Sequence, residues 1–270
     1  MADERYDRSP EVGKATPAPV PPFREAAGRV YSAVDPDALT AGDLLKMLDY
    51  TLLKPEETLE GYTRFLKKAS RMELRSVFVP PCYVTLAVGM ISATGTVVGA
   101  PVSFPFGYTA PEVKAAEALS LLEEGARELD VVMNVSAARS GEWELVRDDL
   151  EEVVEAVRGW ERLTRSAPIV LKVILETSLL ADDAKRRACL IAAQVGMDYV
   201  KTATGFGPGG ATVEDVRLLR SAVGEELGVK ASGGIRTWDD ARALIAAGAN
   251  RIGTSAAPEI MEGFLDAGTG

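Results

Sequence analysis

Apolar residues along this chain come in short dense blocks, separated by longer stretches in which they recur at every third or fourth position. From residue 37 onward the blocks predict strands at 48–52, 75–79, 96–99, 129–133, 169–175, 199–202, 229–232 and 251–253, each followed by a polar or glycine-bearing turn. The stretches between and after them predict helices near 58–71, 82–92, 110–124, 143–164, 182–195, 212–226, 238–247 and 257–265. Leu145, Leu150, Val153, Val154 and Val157 show the helical period clearly on the longest of these. A further helix at 38–47, after the Pro36-Asp37 turn, is expected to cap the bottom of the fold. Alternating strand and helix implies parallel strands with right-handed crossovers, and eight such units in roughly 230 residues fit a closed (β/α)8 barrel. An open doubly wound sheet is the alternative, but no GxGxxG follows the first strand.

Residues 1–36 break this rhythm. They mix charges with alanine and proline, including the run ATPAPVPP at 15–22, and are expected to form a flexible arm preceding a single barrel domain over 37–270. No apolar stretch there suits a secretory leader, and Asp3, Glu4, Asp7 and Glu11 have the wrong sign for an organelle transit peptide.

Composition narrows the chemistry. The 270 residues include no histidine, which removes a histidine-based triad and a histidine-bound zinc site. Thirty Lys and Arg against 40 Asp and Glu give a net charge of −10. That balance argues against a broad nucleic-acid or anionic-membrane footprint, and no run of residues reads as a membrane span. Cys82 and Cys189 form no CxxC or zinc spacing, which suits a reducing, cytoplasmic setting.

In a barrel, chemistry gathers at the C-terminal ends of the strands. Lys201 ends the sixth predicted strand and Lys230 lies on the seventh. Two inward ammonium groups about 4 Å apart repel by on the order of 4 kcal/mol at an effective dielectric of 20, so one of them should lose its proton readily. A neutral amine near pH 7 is what attack on an aldehyde or ketone requires. Asp130, inside the apolar fourth strand, should face the barrel centre and meet cations there, with Lys172 on the fifth strand beside it. These two groups either shuttle protons or form a buried ion-pair layer that fixes register. Asp49, near the start of the first strand, either positions substrate hydroxyls or braces its loop. The turns after strands seven and eight resemble a phosphate cradle: Gly233 and Gly234 allow backbone amides to converge, Arg236 adds a cation, and Gly253 and Ser255 follow the last strand. Thr204 and Gly205, after strand six, are placed to complete it.

The motifs carrying these residues are LDYTLLKP at 48–55, SVFVP at 76–80, GARELDVVMN at 125–134, LKVILET at 171–177, VKTATGF at 200–206, KASGGIRT at 230–237 and RIGTS at 251–255. Together they resemble the deoxyribose-phosphate aldolase family over about residues 43–258. The resemblance implies a class I aldolase that reversibly cleaves 2-deoxy-D-ribose 5-phosphate to acetaldehyde and glyceraldehyde 3-phosphate, with no cofactor and no metal. It implies Lys201 as the Schiff-base lysine, Lys230 as the lysine that lowers its pKa, and Asp130 as the relay acid joined by Lys172. It further implies Asp49 near the sugar hydroxyl and phosphate on Gly205, Gly233, Gly234, Arg236, Gly253 and Ser255. The chain departs from the family pattern at Tyr50, commonly His, at Phe78, often Cys, and at Pro80. It also departs in the longer 98–107 segment and at Ala256, frequently Ser. A related imine-forming aldolase acting on another aldehyde and a non-catalytic binding barrel are the other readings. A small sugar phosphate is the expected partner, with neither nucleic acid nor membrane, and a homodimer is compatible with the sequence without being fixed by it.

Overall fold

A computed structural model describes residues 31–268. Eight parallel strands close into a barrel in chain order: β1 (Leu48–Thr51), β2 (Ser76–Phe78), β3 (Val97–Val102), β4 (Glu128–Val132), β5 (Val170–Ile174), β6 (Tyr199–Lys201), β7 (Gly228–Ser232) and β8 (Arg251–Thr254). Closure is made by β8 pairing with β1, Gly253 lying opposite Asp49. The helices are α1 (Ala41–Met47), α2 (Leu59–Ala69), α3 (Val84–Ile91), α4 (Pro111–Glu123), α5 (Val135–Ser140), α6 (Trp143–Thr164), α7 (Asp182–Val195), α8 (Val213–Val223), α9 (Trp238–Ala246) and α10 (Ala257–Gly268). The closed barrel is therefore the architecture, and the open sheet is not.

Local chemistry sets the boundaries. The expected helix at 38–47 divides into a single 3-10 turn at Pro36–Ala38 and then α1, because Thr40 caps α1 in a reciprocal box with Asp43. The same device, Thr237 with Asp240, starts α9 directly behind the glycine turn of β7. Strand β3 runs three residues past its expected end. Helix α5 was not expected; Asn134 caps its start, and Gly141, at φ 76°, ends it in the left-handed region.

Strand residues facing outward, such as Val77, Leu129, Val131, Leu171, Val173, Val200 and Val229, are buried under the helices and form the main core. The longest helix, α6, buries Leu150, Val153, Val154 and Val157 at the period read from the sequence, but in its first turn Val146 is buried and Leu145 is exposed. Inward positions are different in kind: Asp49, Glu128, Asp130, Lys172, Lys230 and Arg251 are all buried. A parallel barrel buries both faces of every strand, so these charges must answer one another. Residues 31–36 of the expected arm run along the bottom of the barrel. There the Tyr31 ring meets that of Tyr199 at 4.8 Å and Ser32 accepts a hydrogen bond from Asn250. The rest of that segment lies outside the described residues.

Candidate active site

Register sets the inward charges in two runs, because Lys172 lies opposite Tyr199 and Lys201 opposite Ile174. Asp130 lies opposite Lys172, Lys201 opposite Lys230, and Lys230 opposite Arg251 on successive strands. Asp130 is the hub. Its Oδ2 accepts hydrogen bonds from Lys201 Nζ and Lys230 Nζ, each at 2.7 Å, and its Oδ1 accepts one from Lys172 Nζ at 3.1 Å. Lys172 also donates to Glu128 at 2.7 Å. Lys230 Nζ lies 2.6 Å from Asp49 Oδ2, and Arg251 bridges Asp49 and Glu128. Ser76 donates to Asp49 at 2.6 Å.

This layer sets three carboxylates, Asp49, Glu128 and Asp130, against four cations, Lys172, Lys201, Lys230 and Arg251. Arg75 reaches Glu128 from the half-exposed outer end. Burial pushes the carboxyl of Asp130 up, but the ammonium groups of Lys172, Lys201 and Lys230 outweigh it and hold Asp130 well below the ordinary carboxylate range. Asp49 is lowered in the same way: burial opposes, and Arg251, Lys230 and Lys172 prevail. The lysines part company. Lys172 is raised, because Asp130, Glu128 and Asp49 outweigh its desolvation. Lys201 is brought down to about 8, chiefly by burial, with the charge of Lys230 adding to the fall and Asp130 resisting it. The expectation that a neighbouring cation is the main cause is thus corrected. Removal from water comes first, and Lys230 contributes behind it.

Above this floor opens a cavity of about 180 Å³ whose lining includes Lys201, Thr204, Gly205, Gly233, Gly234, Arg236, Gly253 and Ser255. Of the inner-layer lysines only Lys201 lines it. Positive φ values of 88°, 94° and 82° at Gly205, Gly233 and Gly234 turn the chain sharply at the strand ends. Ser232 donates to the Ala203 carbonyl at 2.6 Å, and Thr202 donates to the Ser232 carbonyl at 3.0 Å, tying the end of β6 to that of β7. The glycine turns, Arg236 and Ser255 at this wall are groups of the kind that bind an anion.

Most sequence-predicted residues converge on this place, with Asp49, Asp130, Lys172 and Lys230 buried below the cavity lining. Asp49 does not reach the cavity lining; it is fully buried and held by Lys230, Arg251 and Ser76 as part of the floor. Lys172 likewise lies in the ion-pair layer, wholly buried and engaged by Glu128 and Asp130. Thr204 lines the cavity, yet its hydroxyl and amide both donate to Glu176, so its side chain braces the turn. Sequence reasoning missed Glu128 and Arg251, which complete the layer. Glu128 stands two residues before Asp130 and so shares its face, which was a readable signal. Lys54, Leu53 and Phe206 also line the cavity unforeseen.

The chain is similar in sequence and fold to known aldolases. Residues 56–263 match the model of the DeoC/LacD family of aldolases. A deoxyribose-phosphate aldolase of Caldanaerobacter subterraneus subsp. tengcongensis is 47% identical over 228 residues, 84% of this chain and 96% of the relative. One from Streptococcus gordonii is 46% identical over 225 residues, 83% and 98% of the two chains. A solved structure from Aeropyrum pernix, described as a unique tetramer of deoxyribose phosphate aldolase, superposes with a TM-score of 0.75 at 35% identity, covering 86% of this chain and 95% of that one.

Proposed function

This chain belongs to the DeoC/LacD family of aldolases, and from that premise we propose that it cleaves 2-deoxy-D-ribose 5-phosphate reversibly through an imine on Lys201. The neutral amine of Lys201 attacks the C1 aldehyde of the open-chain sugar, and water leaves to give an iminium. A proton is then taken from the C3 hydroxyl as the C2–C3 bond breaks. Its electron pair moves into the iminium to form an enamine, and glyceraldehyde 3-phosphate departs. Protonation at C2 and hydrolysis release acetaldehyde and restore the amine. Asp130, at 2.7 Å from Lys201 Nζ, is the group within reach of these protons at the floor of the cavity. Lys230 keeps Asp130 anionic and makes protonation of Lys201 harder.

The observation that carries this reading is the position of Lys201. It is a nearly buried amine with its acidity brought to about 8, standing in the floor of a cavity whose opposite wall suits phosphate. The carboxylates below are already engaged by cations, and among the described residues no group of three His, Cys, Asp or Glu is placed to hold a metal ion. Incubation with acetaldehyde and borohydride should leave a reduced adduct on Lys201, located by peptide mass spectrometry. Lys201→Arg should leave none, because a guanidinium stays protonated. An unmodified Lys201 in folded protein contradicts the proposal. A reducing, cytoplasmic setting is supported by the free thiols of Cys82 and Cys189, and among the described residues no helix is long and apolar enough to cross a membrane. A homodimer is compatible with the sequence, whereas the Aeropyrum pernix relative is described as tetrameric; light scattering distinguishes the two.

A further inference from the structure

One side of the ionic floor is closed by a hydrocarbon ring. Phe78, the last residue of β2, is buried and turned inward, with Lys230 Nζ 4.0 Å and Lys172 Nζ 4.6 Å from its ring centroid. Its register partner on β3 is Gly99. A Cβ at residue 99 would lie 2.3 Å from the ring's Cζ, so the ring occupies this seat only because residue 99 has no side chain. Lys230 meets Asp130 and Asp49 at 2.7 and 2.6 Å and turns its remaining side to the aromatic face. Such a face attracts a cation electrostatically and itself needs no hydration, so it can border an ammonium without admitting water.

We propose that Phe78, seated against Gly99, is a positioning residue: it forms a dry aromatic wall that holds Lys230 on Asp130 and lets its charge act unscreened on Lys201. This deepens the aldolase reading and rests on Lys201 being the imine-forming amine. The groups that face this space are Asp49 on β1, Ser76 on β2, Glu128 and Asp130 on β4, Lys172 on β5, Tyr199 and Lys201 on β6, Lys230 on β7 and Arg251 on β8. Burial holds the Tyr199 phenol above its ordinary value, so it stays neutral. In a cluster this dense, a water admitted beside Lys230 raises the local dielectric. The desolvation and the push from Lys230 that lower Lys201 then weaken, and the pull of Asp130 that raises it weakens too; desolvation is the largest of these causes, so its loss sets the sign and Lys201 rises.

Two substitutions disturb the wall from opposite sides. Phe78→Leu removes the face and leaves a void bordered by charged groups, polar enough to take water. Gly99→Ala keeps the ring but drives it from its seat. Each should raise the acidic midpoint of acetaldehyde–borohydride trapping at Lys201 by roughly one pH unit. In the double variant the added methyl fills the space that the ring has left, so the combined shift should fall short of the sum. Circular dichroism and a thermal melt establish that each variant is folded. An unmoved midpoint in the folded Phe78→Leu protein overturns the assignment, as does full additivity in the double variant, while either leaves the imine reading standing. Absence of trapping in the unaltered protein overturns the imine reading instead. Should Gly99→Ala fail to fold, the Phe78→Leu midpoint alone decides.

Discussion

The amine proposed as the nucleophile sits where the fold withholds water from it without giving it a carboxylate of its own. Lys201 shares the Asp130 oxygen Oδ2 with Lys230, each at 2.7 Å, so one anionic oxygen answers two ammonium groups. With three carboxylates against four cations, loss of one proton brings the layer to balance, and Lys201, alone of its lysines, also lines the cavity. The linkage has a definite sign. The folded-state pKa of about 8 lies below the ordinary lysine value of 10.5, so between those values the unfolded chain binds more protons and stability rises with pH. Below about pH 8 the cost of burying the charge is borne in full. Lys201→Met should therefore raise stability at pH 7 by about 1–3 kcal/mol and flatten the rise between pH 8 and 10.5, because Asp130 keeps Lys172 and Lys230. Urea unfolding across that pH range checks it; a less stable variant with an unchanged slope would contradict it. The paired lysines were legible in the sequence from their places on neighbouring strands. The order of causes was not, since desolvation depends on what closes over the amine.

At the scale of elements, the turns after β6, β7 and β8 make the upper half of the site. The β7 turn is rigid for a local reason: Gly233 and Gly234 take positive φ, and three residues later Thr237 and Asp240 cap α9, with Asp240 also accepting from the Arg236 amide. That leaves the Arg236 side chain at the cavity edge. Arg236→Ala should raise KM for deoxyribose 5-phosphate about tenfold while leaving that for unphosphorylated deoxyribose unchanged. Steady-state kinetics on the two sugars checks this, and equal effects on both would remove Arg236 from the phosphate seat. The eight strand–helix repeats and the glycine turns were readable because period and turn chemistry are local. Helix α5 was not, because it is a six-residue helix set by caps at Asn134 and Gly141 rather than by an apolar stripe. The depth of Asp49 below the lining was not readable, because position along a strand does not give height inside a closed barrel, which is set by the shear of all eight strands.

Across the whole molecule, an acidic protein of net charge −10 encloses an inner layer with an excess of cations. Barrel closure makes this possible: Asp49 and Arg251, 202 residues apart in the chain, meet only because β8 returns to β1. No window along the sequence contains that contact, which is why the floor of the site emerged only in three dimensions while its mouth was partly foreseen. The proposed chemistry requires Lys201 to be an amine whose acidity the barrel has raised. Nuclear magnetic resonance titration of lysine labelled with carbon-13 at Cε, with the Lys201→Met spectrum identifying the resonance, measures this directly. The predicted result is a Lys201 midpoint near pH 8 that moves upward in Lys230→Met. A midpoint near the ordinary lysine value of 10.5, indifferent to Lys230, would contradict it.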